Sequence, residues 1–205
     1  MKTNKSHYSL HVVLSAVLAI FSGASCSASK SQSELAAEDF AKNNDQASKE
    51  FPDELPSIAR QKLSQKNVSD QFSMEADPDK RAKKAANIFI GFYFMGSRAF
   101  SDYCLEQNID IKPFSDAFIA SHANEHKKAV SILKYTPERE DGQYNLIRVQ
   151  LRVAAEQHIT DIATVNKTTT SRACSLIASN ATYLSSEMHI SKMQPLVYKE
   201  LTNAK

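Results

Sequence analysis

Glycine occurs only four times in 205 residues, against the roughly 7% usual in proteins, and this shortage limits the fold more than any other feature. Glycine supplies the left-handed backbone that tight turns and phosphate-cradling loops require. The chain accordingly has no Walker loop, no G-x-G-x-x-G and no G-x-S-x-G elbow. With only six prolines besides, it lacks the punctuation of a sandwich or barrel of many short strands. An all-α chain remains, and its apolar residues recur at helical spacing.

The first residues carry an address. Lys2 and Lys5 stand in a stretch without acids, residues 10–21 (LHVVLSAVLAIF) are apolar apart from His11 and Ser15, and small residues follow from Ser22 to Ala28. A positive start, a short apolar run and a small-residue end make a secretory signal peptide over residues 1–26. The run is too short for a membrane span, which needs about 20 residues. Gly23-Ala24-Ser25-Cys26 resembles a bacterial lipobox, so Cys26 is a candidate for lipidation, with cleavage after Ala24 or Ala28 as the alternatives. Ser27 after the cysteine points, by analogy with bacterial lipoproteins, to the outer membrane. The expected location is the bacterial periplasm, free or anchored to the outer membrane. Any contact with a membrane would be through the lipid alone.

Export also bears on the other cysteines. Cys104 and Cys174 would lie where disulfides form, and pairing them leaves Cys26 to processing. A bridge closing a loop of about 70 residues stabilises a fold by roughly 4 kcal/mol on the chain-entropy view.

Without Lys2 and Lys5 the chain holds 23 basic and 23 acidic residues, a balance that excludes a nucleic-acid partner recognised by charge. Residues 27–77 are polar and carry 6 basic against 10 acidic residues. Their large apolar residues are few and scattered, so the expectation is a flexible tether with weak helices.

Residues 78–205 read as an α-helical domain, a bundle of four to five helices. Asp77-Pro78 is a helix start, a preferred N-cap before a preferred first residue. The helix runs to about Gln107 with Ala85, Ile88, Phe89, Phe92, Gly96, Ala99, Phe100 and Tyr103 on its core face. Gly91 and Gly96 inside it imply a close neighbour, since each costs about 1 kcal/mol relative to Ala. A second helix follows to about Leu133, an exposed acidic loop contains Gly142, and a third helix occupies Tyr144 to Val165. A fourth carries Ala173 to Met188, and a short last one starts at Pro195. Short loops favour antiparallel neighbours.

One string could carry chemistry: His122-Ala123-Asn124-Glu125-His126, an H-x-x-E-H pattern. On one helix both imidazoles would face the same way and could hold zinc, with Glu125 as general base toward a metal-bound water. His158 would be a third ligand. The string resembles that of the inverzincin metalloproteases; the resemblance implies a further downstream Glu ligand, for which Glu187 and Glu200 are the candidates, and it ends there. The competing expectation is that His122 is a buried histidine with a hydrogen-bond partner, and that His126 is solvated. Lys80, Arg81, Lys83 and Lys84 read as a solvated face rather than a site for anionic lipid.

The function that fits best is a non-enzymatic binding module of the envelope, without a cofactor, engaging an envelope protein or ligand. Inhibitors and immunity proteins are roles of this kind. A zinc-dependent hydrolase built on His122, Glu125 and His126 is the alternative.

Overall fold

The computed structural model describes residues 32–204. Among them every regular element is helical: α1 (Gln32–Glu50), α2 (Pro56–Ser73), α3 (Pro78–Phe94), a π-helical turn (Met95–Ala99), α4 (Phe100–Glu106), α5 (Lys112–Ser121), α6 (Ala123–Leu133), α7 (Pro137–Val165), α8 (Thr170–Ser179), α9 (Ala181–Glu187), α10 (Ile190–Met193) and α11 (Pro195–Asn203). The signal segment and Cys26 lie outside the described residues. None of the described helices is long and apolar enough to cross a membrane.

Local chemistry sets most starts. The Asp77 carboxylate accepts from the amides of Asp79 and Lys80, and Pro78 follows it at the first helical position. Thr136 and Thr169 cap α7 and α8 in the same way. Thr136-Pro137 starts α7 seven residues before Tyr144, so the expected acidic loop is instead the helix's own first turns. Glu138 and Glu140 suit that end of the dipole, and Gly142 faces open space.

The helices outnumber the four to five expected because α1 and α2 form in the expected tether, α10 precedes α11, and two of the anticipated helices are interrupted. At His122 the backbone turns to φ −112°, ψ 13°, separating α5 from α6. At Asn180 it turns to φ −116°, ψ 24°, separating α8 from α9, and the Asn180 amide donates to the Leu176 carbonyl at 2.8 Å. The first long helix runs on through the π turn. A Cβ on Gly96 would lie 2.5 Å from the Phe118 ring, so this glycine admits α5 at close range, as its place in the helix implied.

The core lies between α3, α5, α7, α8 and α11. Phe89, Phe94, Phe100, Phe114 and Phe118 are fully buried in it with Ile111, Leu151, Ile159, Ile190 and Leu201. Cys104 of α4 is bonded to Cys174 of α8, with Cα atoms 5.7 Å apart, the pairing expected.

The largest departure concerns the expected tether over 27–77. From residue 32 onward that stretch forms α1 and α2, which pack on one another and on α7. Val68 and Phe72 enter the main core, while Ala47, Ala59 and Leu63 make a small cluster of their own with Phe51. The apolar residues are few; Leu63, Val68 and Phe72 fall on the inner faces, while Leu35 and Leu55 stay exposed. Polar groups make up the rest of the contact, and hydropathy does not reveal such pairing.

Candidate functional site

The H-x-x-E-H residues meet the bundle where α5 ends. His122 belongs to both helices, closing α5 and opening α6. The break turns its ring inward, where it is completely buried. There it packs against Phe118, ring centroids 4.2 Å apart, and against Phe89 and Phe92 of α3.

Both ring nitrogens of His122 are engaged. Nδ1 lies 2.9 Å from the Phe118 carbonyl and 3.0 Å from Ser121 Oγ. Nε2 accepts from the Ile190 amide at 3.1 Å. The amide can only donate, so Nε2 carries no proton and Nδ1–H donates to Phe118. His122 is thus a neutral imidazole joining the α5–α6 junction to the start of α10. Burial, together with the nearby His189, pulls its pKa down from 6.5 to about 4, against an opposing pull from the Phe118 carbonyl.

His189 lies face to face with His122, centroids 4.7 Å apart and planes 13° from parallel. It caps α10 through Nδ1, which accepts from the Ser191 amide at 3.3 Å and lies 2.8 Å from Ser191 Oγ. Its Nε2 is 3.9 Å from the Glu125 carboxylate. Glu125 therefore faces an imidazole of another segment. His126, for which a solvated position was expected, is half-buried. It stacks on Tyr93 at 4.2 Å between centroids and pairs through Nε2 with Glu140 at 2.9 Å.

The remaining residues singled out for a metal are dispersed. His158 is buried in another part of the core, edge-on to Phe40 and Phe100. Glu187 pairs with Lys192, and Glu200 with Arg81. Among the described residues no three His, Cys, Asp or Glu side chains converge on a point that could hold a metal ion. Two of the four clustered cations are also drawn away from a common face. Arg81 bonds Glu200 and the Glu75 carbonyl, both at 3.1 Å, and Lys84 reaches the Gln71 carbonyl at 3.3 Å.

Sequence reasoning missed His189, Tyr93 and Glu140 as members of this cluster. Each lies on an element other than the motif's own, and no spacing rule connects them to it.

Outward from this junction, α5 and α9 run side by side, tied by Ser121 and Ser185 hydroxyls 2.9 Å apart. Ile119 is 40% and Tyr183 46% exposed, and Ala120, Ala123, Asn124, Thr182 and Ser186 are exposed with them. The stretches 119–124 and 182–186 contain no Asp, Glu, Lys or Arg. The patch is neutral and ends at Glu125 and Glu187. Compared with known proteins, the chain matches no family model, no curated protein and no solved structure.

Proposed function

We propose that the protein is an exported bacterial envelope protein that acts as a non-enzymatic binding module, presenting the outer surface of α5 and α9 to an envelope protein. An inhibitor or immunity-like role, with Cys26 as a lipid anchor, belongs to the same proposal. The neutral surface carries the reading. Interface cores are depleted of charge and enriched in aromatic residues, and Ile119 and Tyr183 stand exposed within a charge-free stretch. The placement of the reactive residues agrees with it: the ring nitrogens of His122 and the Glu125 carboxylate face partners within the fold.

The test is capture of an envelope protein by the wild-type chain, repeated with Ile119→Glu and Tyr183→Glu. Both substitutions are at exposed positions, and circular dichroism should show an unchanged fold. The captured protein is expected to be lost, by at least about tenfold in affinity per variant, as for a residue at the centre of an interface. Equal binding by wild type and both variants would remove this surface from the proposal. Stoichiometric zinc retained after chelation and reloading would return the hydrolase reading.

A further inference from the structure

The α1–α2 hairpin is joined to the bundle by a buried charge beside a small apolar contact. Arg60 of α2 is 2% exposed. Its guanidinium donates to the Asp161 carboxylate of α7 and to Asn44 Oδ1 of α1 at 3.1 Å. It also lies 5.2 Å over the Phe40 ring. Phe40 in turn packs edge-on to His158, centroids 6.5 Å apart. One side chain thus gathers α1, α2 and α7 at a single point. The arrangement is incomplete, since Arg60 Nε is buried with no hydrogen-bond partner.

Two further polar attachments flank it. Gln65 donates to the Met193 carbonyl at 2.7 Å, and Gln194 to Ser64 Oγ at 3.0 Å. The hairpin's own core is Ala47, Ala59 and Leu63 with Phe51. Val68 and Phe72, at the far end of α2, are buried in the main core, and half-buried Phe40 of α1 packs against it. The hairpin is rooted at one end and pinned by a charge at the other.

We infer that α1–α2 is a releasable strap: it lifts from α7 as a unit about the root at Val68 and Phe72, while the disulfide-bonded bundle stays folded. The physics favours an all-or-none step. Sliding Arg60 partly away would leave a buried charge with neither carboxylate nor water, so partly open positions are unfavourable. Full release hydrates Arg60 and Asp161 together and uncovers the middle of α7 around His158. Release at low cost also follows from composition, because little apolar area is exposed to water.

Hydrogen exchange read by mass spectrometry on the purified protein tests the strap. In the wild type, peptides covering 32–65 should exchange as a block at least about tenfold faster than peptides from α3, α4 and α8, as expected of a separate low-stability unit. Asp161→Asn should speed the block by at least about another tenfold and leave α3, α4 and α8 unchanged. The double variant Arg60→Met with Asp161→Leu should slow the block to the wild-type rate or below, because an apolar pair dispenses with the desolvation of two charges. Exchange of the block at the rate of the bundle in the wild type would overturn the inference. So would loss of the whole fold in Asp161→Asn, or a double variant as loose as Asp161→Asn.

Discussion

The α1–α2 hairpin and the helices from Pro78 onward are built from the same kind of element but held together differently. Around the π turn, five phenylalanines interlock without exposure, a disulfide spans α4 and α8, and Gly96 lets α5 approach to ring contact. In the hairpin, alanines and one leucine fill the interior, and Arg60 holds the junction. The outer faces differ less. Lys49–Asp45 on α1 and Lys112–Asp116 on α5 are equivalent solvent-exposed pairs, each worth a few tenths of a kcal/mol. The contrast shows that helix formation and helix docking are separate questions. A segment with little apolar area can still dock when a few apolar residues face the bundle and its buried charge finds a partner.

Three perturbations test this contrast. The largest effect should follow replacement of Cys104 and Cys174 by Ser, which removes a cross-link closing about 70 residues and should cost roughly 4 kcal/mol. The urea midpoint of the bundle, followed by tyrosine fluorescence, measures it. The contrast predicts that proteolysis rates in the α1–α2 link change far less than that midpoint. An equal change in both would mean the two regions unfold together.

Acid comes next. His122 has a pKa of about 4 in the folded protein and 6.5 as the ordinary value. Between those limits the unfolded chain binds the extra proton, so stability falls as pH falls. The contribution is fully present above about pH 6.5 and is lost progressively toward pH 4, amounting to about 3 kcal/mol. Urea titrations from pH 7 to pH 4 measure the slope, and His122→Gln should flatten it. An unchanged slope in that variant would mean other groups govern the acid response.

The smallest effect belongs to the hairpin. Leu63→Ala removes its largest buried aliphatic side chain, at about 2 kcal/mol. Because the strap can lift, the loss should show as faster cleavage of the α1–α2 link by protease, with the urea midpoint of the bundle unmoved. A lowered bundle midpoint would merge the hairpin with the bundle.

Much of the bundle was legible in the sequence because its signals are local. Asp77-Pro78 starts α3, the long stripe from Ala85 to Tyr103 becomes the central helix, Gly96 marks a close packing contact, and Cys104 finds Cys174. The breaks at His122 and Asn180 were not legible. Neither residue is a proline or glycine: the break at His122 is fixed by the Ile190 amide 68 positions away, and the one at Asn180 by its side-chain amide on the Leu176 carbonyl, a bond that composition and periodicity do not register. For the same reason the fate of the H-x-x-E-H string was hidden. Its spacing presupposes one uninterrupted helix, and the partners that occupy its side chains come from α3, α7 and the start of α10. Docking of α1–α2 was hidden too, since it depends on Arg60 meeting Asp161 about a hundred positions away.

The position of α1 changes the reach of an anchored protein. A flexible segment over the whole of 27–77 could extend more than about 150 Å from its attachment, enough to search a broad zone of the periplasm. With α1 beginning at Gln32, only residues 27–31 separate the helix from Cys26, and five residues cover at most about 18 Å however they run. With a lipid on Cys26, as proposed, and the strap closed, the protein is held at the bilayer surface on a short leash. Its partner must then come to the membrane or already reside there.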